Sequence, residues 1–380
     1  MPISKSSDVH RRAIIVDGHC DTPYRMLRRN VHLDEHDTEA QVDLRTLGES
    51  GITASFFAAY VPPYYAGRGA ARFAYRLIDL IRSETDRYPG QLVFCTDSEG
   101  IRRAKQNGKT AIMIGVEGGH AIEDSLDTLR DFYRLGARYM TLTHVNTNNW
   151  CDSSGDRGRH GGLTDFGRTV VRTMNDIGMI VDISHVSDAA FYAVLETTRT
   201  PIVATHSSCR ALCRHPRNMT DDMLRALAKN GGVCMINFFS AFLNDAVAEV
   251  VMRAQKRDKK PESEGGTEEM PNDTTDWDEY LKWFNALGCP QATLDDAVSH
   301  FLHAIKVAGV EHVGVGSDFD GVPALPEGLE TAAGLPRVTQ RLLQSGLSES
   351  DVEKILGGNF VRVFAEIESA RRVKSTADAE

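Results

Sequence analysis

The sequence predicts an α/β protein with the architecture of a (β/α)8 TIM barrel. Eight apolar segments of strand length recur along the chain, and most alternate with stretches of helical periodicity. Alternation of this kind is typical of parallel strands joined by crossover helices. No glycine-rich phosphate loop follows the first predicted strand. A closed barrel therefore fits the pattern better than a dinucleotide-binding sheet.

Four of the strands are predicted in the first half of the chain. They cover the apolar residues 13–16, 51–60, 110–116 and 138–143. A helix is predicted at about 70–88, because apolar residues fall on one face and Pro89-Gly90 would end it. A second helix is predicted at 125–135 and closes at Gly136. The polar loop 146–162 is either a substrate lid or an ordinary long connection.

The second half supplies the other four strands. They are predicted at 179–184, 201–205, 231–238 and 312–317. Capping residues and apolar spacing predict helices at 164–176, from Ser187 onward, at 221–229, 277–284 and 293–308, and one or two closing helices to about Ala370. Residues 256–278 are rich in charge, proline and glycine and have few large apolar side chains. We predict a single barrel domain over 1–380 with a polar insertion at about 256–278.

Composition narrows the class of protein and its partners. The chain has 380 residues, 41% of them hydrophobic and 25% charged, as expected for a globular protein with a sizeable core. A net charge of −10 argues against a nucleic-acid partner. No signal peptide and no apolar run of about 20 residues is visible, and the seven cysteines are scattered. We expect a cytoplasmic protein with neither a nucleic-acid nor a membrane partner.

Acidic and histidine side chains follow six of the eight predicted strands. They are His19, Asp21, Glu117, His144, His185, His206 and Asp318. In a (β/α)8 barrel the C-terminal ends of the strands meet on one rim, where active sites are built. His19 and Asp21 are two residues apart, so in an extended chain their side chains point the same way. The whole set predicts a metal site rather than unrelated loop residues.

The donor types and their number indicate which metals the site would hold. Imidazole and carboxylate groups without clustered thiolates suit zinc, with manganese, cobalt or iron as alternatives. Seven donors exceed the needs of one open tetrahedral zinc ion, whereas two ions sharing a carboxylate fit. Glu117 is the natural bridge, because its two oxygens can each hold an ion. Asp318 is then the carboxylate left to act as base on a metal-activated water.

The motifs around these residues resemble those of one known family, the membrane (renal-type) dipeptidases of peptidase family M19. The resemblance lies in His19-x-Asp21, Gly-Val-Glu117-Gly-Gly-His, Asp-Ile-Ser-His185, Ala-Thr-His206-Ser, Arg217-Asn218 and Gly-Ser-Asp318-Phe-Asp-Gly. The chain is identified as similar to soluble, bacterial-type members of this family. That resemblance implies a barrel of the metal-dependent hydrolase (amidohydrolase) type with two zinc ions per chain.

The resemblance also implies a role for each residue. The implied metal ligands are His19 and Asp21 for one zinc ion, His185 and His206 for the other, and Glu117 as the bridge. His144 resembles the family's substrate and transition-state histidine. Arg217 resembles the arginine that pairs with the terminal carboxylate of the substrate, a task that suits its bidentate guanidinium. Asp318 matches the catalytic acid and base.

Three hypotheses of function follow. The favoured one is hydrolysis of L-Xaa-L-Xaa or L-Xaa-D-Xaa dipeptides by a hydroxide that two metal ions activate. The second keeps the site but changes the substrate to N-acyl amino acids, cyclic amides or β-lactam-like bonds. The third is a non-enzymatic barrel, against which the full ligand set argues. The aromatic residues of the helix at 277–284 either form a homodimer contact or cover the barrel.

Overall fold

Eight parallel strands close into a barrel. The computed structural model describes residues 5–35, 37, 39–258 and 277–377. Its strands are β1 (Val16–Cys20), β2 (Ala54–Tyr60), β3 (Leu92–Phe94), β4 (Thr110–Glu117), β5 (Ala137–Thr141), β6 (Ile180–Asp182), β7 (Val203–Ala204), β8 (Val233–Ile236) and β9 (Val313–Val315). The barrel order is β1-β2-β4-β5-β6-β7-β8-β9, and β9 pairs with β1. The predicted TIM barrel is confirmed.

Strand β3 lies outside the barrel. It pairs with residues 110–112 of β4, whereas β5 pairs with the same strand from Ile114 onward. The sequence prediction omitted β3, because three residues are too few to give a strand pattern. Seven of the eight barrel strands fall on their predicted segments, although β6, β7, β8 and β9 are shorter than predicted. The prediction for the first strand, 13–16, was wrong in its bounds, because β1 begins at Val16 and runs to Cys20, so that His19 lies within the strand.

Helices surround the barrel. They are α1 (Lys5–Arg12), α2 (Thr22–Arg29), α3 (Leu44–Ser50), α4 (Ala70–Arg87), α5 (Ser98–Gln106), α6 (Leu126–Arg134), α7 (Asp165–Ile177), α8 (Asp188–Thr197), α9 (Asp221–Lys229), α10 (Ser240–Leu243), α11 (Asp245–Asp258), α12 (Trp277–Ala286), α13 (Leu294–Ala308), α14 (Leu335–Gln344), α15 (Glu349–Glu353) and α16 (Asn359–Ala377). Short 3-10 turns occupy Pro63–Tyr65, Gly119–Ile122, Val310–His312 and Ala332–Gly334, and a π-helical turn occupies Lys354–Gly358.

Capping side chains explain why several predicted helices begin where they do. The Ser187 hydroxyl accepts a hydrogen bond from the backbone N–H of Ala190 at 3.1 Å and starts α8. The α1–α3, α5, α10 and α11 helices were not predicted. Two of these are too short or too polar for a clear apolar stripe: α10 is one turn, and α1 is mostly charged and polar.

The predicted polar insertion at 256–278 is described only at its two ends. Residues up to Asp258 continue α11, and Trp277 begins α12. Residues 259–276, where most of the expected insertion falls, lie outside the described residues.

Apolar packing closes the N-terminal end of the barrel. Val16, Ala54 and Phe56 are buried there with Phe360 and Phe364 of α16. The rings of Phe56 and Phe360 have centroids 5.3 Å apart in an edge-to-face contact. Buried side chains thus hold this end together, and the opposite end, where the strands finish, is left for chemistry.

A β-bulge near the end of β1 helps to orient its polar residues. A step of three residues along β1, from Asp17 to Cys20, corresponds to a step of two along β2. Gly18 lies in this bulge, where a Cβ atom would be only 2.6 Å from the carbonyl oxygen of Thr205. Glycine is therefore required for the close approach that places His19 at the rim.

Candidate active site and metal centre

All seven predicted strand-end residues gather at the C-terminal rim. Three overlapping groups each bring their ligand atoms within 4.8 Å of one another: His19 with Glu117 and His206, Glu117 with His144 and His185, and His19 with Asp21 and Asp318. All of these residues except His144 are at most 8% exposed. A buried cluster of acids and imidazoles at this density needs compensation for its charge.

Glu117 lies between the histidines of this cluster. Its Oε2 is 3.5 Å from His19 Nε2. Its Oε1 is 3.1 Å from His185 Nε2 and 3.5 Å from His206 Nε2. Each carboxylate oxygen therefore faces a different group of imidazoles, as a carboxylate shared by two ions would.

Two further carboxylates surround His19. Asp21 Oδ2 is 3.3 Å from His19 Nε2, and Asp318 Oδ1 is 4.0 Å from the same nitrogen. Asp21 Oδ1 is buried and has no hydrogen-bond partner within the part of the chain that the structure describes. A buried acceptor without a donor is costly, so this oxygen suits a cation.

The electrostatics of the cluster also favour a cation. Burial, partly offset by His19, raises the pKa of Glu117 to about 7. Burial alone would lower the pKa of His19, but the carboxylates of Glu117 and Asp21 raise it well above its usual value. Burial lowers the pKa of both His185 and His206, so each presents the neutral imidazole that binds metals. The residues present therefore fit divalent metal ions.

Hydrogen bonds fix which nitrogen two of the histidines present. The Thr205 hydroxyl donates to Asp182 Oδ2 at 2.6 Å, so its oxygen accepts from His206 Nδ1 at 2.8 Å. The Nε2 lone pair of His206 then faces the cluster. His19 Nδ1 is 2.7 Å from the hydroxyl of Tyr139, which likewise leaves Nε2 for the cluster.

Two site residues have left-handed backbone conformations. The φ angle is +69° at His185 and +65° at Asp318, a region that side-chain-bearing residues seldom adopt. The carbonyl of His185 accepts hydrogen bonds from Ser154 N at 2.8 Å and Ser153 Oγ at 3.2 Å. The N–H of Asp318 donates to the carbonyl of His19 at 3.0 Å. Surrounding contacts thus hold strained backbone at these positions, as is common at functional sites.

Arg217 is a buried cation beside the cluster. It is 7% exposed, and burial lowers its pKa to about 10. The guanidinium donates to the carbonyl of His206 at 3.0 Å and to Ser207 Oγ at 3.3 Å, and it lies over the ring of Phe242. No carboxylate lies within 4.0 Å of it among the described residues. A buried guanidinium without an anionic partner is a candidate anion-binding group.

His215 lies beside this arginine and was not predicted. Its Nδ1 accepts a hydrogen bond from the backbone N–H of Arg217 at 3.2 Å, so the proton is on Nε2. Burial and the charge of Arg217 lower the pKa of His215 to about 3, which keeps the ring neutral. His215 also lines the cavity described below.

His144 lies at the edge of the cluster. Its Nε2 is 4.0 Å from Glu117 Oε1, and its ring packs between Tyr60 and His185 at centroid distances of 4.7 and 4.5 Å. Burial and the charge of Arg217 hold the pKa of His144 well below its usual value. A neutral imidazole at this position can donate a hydrogen bond without adding charge.

A cavity of about 340 Å³ opens over these groups. Six of the predicted site residues line it: Asp21, Glu117, His144, His185, Arg217 and Asp318. Apolar side chains from α10, α11 and α12 line another part of its wall. Its size is at the lower end of the range for sites that hold small molecules, about 300–1,000 Å³.

Comparison with known proteins identifies the family. The sequence model described as "Membrane dipeptidase (Peptidase family M19)" matches residues 3–378. The chain belongs to this family. It is 33% identical over 367 residues to Dipeptidase 3 of Rattus norvegicus, an alignment that covers 94% of this chain and 66% of that protein. Dipeptidase 3 of Mus musculus is also 33% identical, with 94% and 65% covered. The chain thus spans just under two thirds of the length of these relatives.

Solved structures of similar proteins share the fold. The probable dipeptidase PvdM from Pseudomonas aeruginosa superposes with a TM-score of 0.80 at 25% identity, covering 96% of this chain and 98% of that one. A metallo peptidase from Rhodobacter sphaeroides, liganded with a phosphinate mimic of the dipeptide L-Ala-D-Ala, gives a TM-score of 0.76 at 23% identity over 93% and 99% of the two chains.

Several residues of this M19 site were missed by sequence reasoning. They are Tyr139, Asp182, Thr205, His215 and Asn237, the last of which donates to Asp318 Oδ2 at 2.7 Å. Asp182 could have been found, because a charged residue ends an apolar strand there. Tyr139 left only an indirect signal in Gly115, where a Cβ atom would be 1.9 Å from the Tyr139 ring.

The predicted loop at 146–162 contributes to the cavity of this family member. Ser154 and Gly155 line it together with Val145. The carboxylate of Asp152 orders the loop by accepting backbone N–H groups of Arg159 at 2.7 Å and Gly162 at 2.8 Å. The loop is therefore part of the cavity wall.

No helix in the part of the chain that the structure describes is both long enough and apolar enough to cross a bilayer.

Proposed function

We propose that this chain is a binuclear zinc dipeptidase that hydrolyses L-Xaa-L-Xaa or L-Xaa-D-Xaa dipeptides. One observation supports this above the others: the two oxygens of Glu117 face different histidines, His19 on one side and His185 with His206 on the other. A shared carboxylate of this kind can hold two metal ions at the spacing that two-metal hydrolases use.

In this proposal the metal ligands follow the two sides of Glu117. His19 and Asp21 would hold one ion, His185 and His206 the other, and Glu117 would bridge them. When bound, the two ions would lower the pKa of a shared water and polarise the carbonyl of the scissile bond. Tyr139 and the Asp182–Thr205 pair would keep the ligand histidines in the required tautomer.

Asp318 would act as the acid and base. Its Oδ2 accepts a hydrogen bond from Asn237, while Oδ1 faces His19 at 4.0 Å. Burial raises the pKa of Asp318, which favours taking up a proton. The carboxylate would take a proton from the attacking water and deliver it to the leaving amine.

His144 and Arg217 would bind the substrate. His144 would donate from its neutral ring to the oxyanion of the tetrahedral intermediate. Arg217, buried on the cavity wall beside neutral oxygens, would pair with the C-terminal carboxylate, and the Nε2–H of His215 would be a second donor to it.

The family comparison supports the same substrate class. Relatives with 33% identity are named dipeptidases, and one protein of the same fold was solved with a dipeptide mimic. Zinc is proposed from the mixed imidazole and carboxylate donors. The single domain, the cytoplasmic location and a homodimer stay predictions.

Hydrolysis of a dipeptide panel by zinc-loaded protein tests the proposal. We expect release of free amino acids by the wild type and a loss of about a thousandfold or more in kcat/KM for Asp318→Asn. This variant has nearly the same shape and can still accept from Asn237. Asp222→Asn, at an exposed position, is the matched control.

Zinc content and thermal unfolding of each variant separate chemistry from folding. If the zinc-loaded wild type hydrolyses no dipeptide of the panel, the dipeptidase proposal is overturned. Cleavage of N-acyl amino acids or cyclic amides by the same protein would then favour the alternative amidohydrolase function.

A further inference from the structure

The cavity has an apolar wall on the side of Arg217. We define this apolar wall as Phe239, Phe242, Val251 and Met252, which come from α10, its N-cap and α11 and all line the cavity. Phe239, Phe242 and Val251 are 6%, 8% and 1% exposed, so the wall is part of the packed structure.

The wall begins at the group proposed to bind the substrate carboxylate. The guanidinium carbon of Arg217 is 5.2 Å from the ring centroid of Phe242. The rings of Phe242 and Phe239 follow in edge-to-face contact at 4.8 Å. An anion bound to Arg217 would therefore lie next to aromatic surface.

Hydrogen bonds fix the wall relative to the arginine. Asn218, the neighbour of Arg217, donates from Nδ2 to the carbonyl of Phe242 at 2.8 Å. Arg214 in the same loop donates to both oxygens of Asp245, the first residue of α11, at 2.7 and 2.8 Å. The distance between the carboxylate site and the wall is thus held by the fold.

We propose that the cavity selects dipeptides whose C-terminal residue has a large apolar side chain. This inference rests on the proposed function. In a dipeptide the C-terminal side chain leaves the same Cα atom that carries the carboxylate, so it must lie beside the group that binds that carboxylate. Beside Arg217 this surface is the apolar wall. Removing a leucine-sized side chain from water there favours binding by roughly ten- to a hundredfold over glycine.

A series of substrates tests this selectivity. Zinc-loaded protein is assayed with Ala-Xaa dipeptides, where Xaa is Gly, Ala, Leu, Phe, Glu or Lys in both configurations. We expect kcat/KM for Ala-Leu and Ala-Phe to exceed that for Ala-Gly by about tenfold or more. Lys256 also lines the cavity, so Ala-Glu tests whether a cation there dominates instead.

A substitution in the wall tests which residues are responsible. Met252 is partly exposed, so Met252→Asp is compatible with folding, and it should lower the ratio of kcat/KM for Ala-Leu over Ala-Gly by about tenfold. Ala246→Asp adds the same charge at an exposed position of α11 and should leave that ratio unchanged.

Binding separates this inference from the proposed function. Calorimetry with zinc-loaded Asp318→Asn should give a Kd for Ala-Leu about tenfold below that for Ala-Gly. Equal kcat/KM values for all Ala-Xaa substrates, or a higher value for Ala-Gly or Ala-Glu, would overturn the inference. The proposed dipeptidase function would still stand. If no dipeptide is hydrolysed, the proposed function fails, and equal Kd values would then overturn the inference as well.

Discussion

Arg217 illustrates how a single residue can limit the substrates of a site. Its guanidinium is buried, and the partners found for it in the described chain are neutral oxygens and an aromatic ring. A buried charge that no carboxylate contacts directly is costly to the protein alone. A substrate carboxylate would supply the missing partner, so the cost is relieved when substrate binds.

Replacing Arg217 should lower kcat/KM much more for dipeptides with a free C-terminal carboxylate than for their amides. Arg217→Gln should lower kcat/KM for Ala-Leu by about a hundredfold, because a buried charged hydrogen bond is lost. For the neutral Ala-Leu amide the loss should be less than about fivefold. Steady-state kinetics with both substrates measures the difference.

Arg225→Gln is the matched control for this experiment. Arg225 is exposed on α9, away from the cavity wall, and pairs with Asp222. Equal losses for the acid and the amide in Arg217→Gln would contradict carboxylate recognition and indicate a structural role.

The strand-end residues of the cluster were predictable, and most of the residues that contact them were not. His185 and His206 follow apolar strands, where a polar residue is conspicuous. Tyr139 contacts His19 across the barrel, 120 positions away, and nothing local marks it. Its role depends on strand register, which one sequence without relatives does not specify.

At the scale of elements, one histidine of α13 connects the loop after β7 with α10. His300 is 1% exposed, and its Nδ1 accepts the backbone N–H of Cys209 at 3.0 Å. Its Nε2 donates to the carbonyl of Leu243 in α10 at 3.0 Å. Both bonds need a neutral ring with the proton on Nε2, so protonation would break the contact with Cys209.

This connection predicts a loss of stability in acid. Burial lowers the pKa of His300 to about 4, from 6.5 in the unfolded chain. The unfolded state therefore binds more protons below pH 6.5, and the stability that the neutral ring contributes is lost as the pH falls from about 6.5 towards 4. Between about pH 7.5 and pH 5 the loss from this group is about 2 kcal/mol.

Urea unfolding at about pH 7.5 and about pH 5 measures this loss of stability. The fall in unfolding free energy should be about 2 kcal/mol smaller in His300→Gln than in the wild type, because other titrating groups cancel in the comparison. Ser299→Ala, at an exposed position of the same helix, leaves His300 and the titrating groups around it in place and should retain the full fall. An equal pH dependence in wild type and His300→Gln would contradict a neutral His300.

The barrel elements were predictable because apolar strands and capped helices leave local patterns. The α10 and α11 helices were not predicted, and they form the cavity wall next to Arg217. Neither is required by the barrel alternation, so the fold class carries no information about them. The parts of the chain that shape the substrate side of the cavity are thus those that the sequence specifies least clearly.

At the scale of the whole molecule, the closed barrel turns distant sequence positions into one site. His19 in β1 and Asp318 after β9 are almost 300 residues apart, yet His19 Nε2 and Asp318 Oδ1 are 4.0 Å apart because β1 and β9 close the barrel. Packing of α16 at the opposite end leaves the rim free for buried polar residues. Stability and chemistry are therefore located at different ends of the molecule.

Two metal ions that share Glu117 are expected to support dipeptide hydrolysis. The most direct test of this claim is a zinc titration of metal-free protein, with hydrolysis of Ala-Leu followed at each addition. Activity should be absent without metal and should rise to a plateau at about two ions per chain, and Glu117→Gln should not reach that plateau. Full activity in metal-free protein, or a plateau at one ion per chain, would contradict the claim.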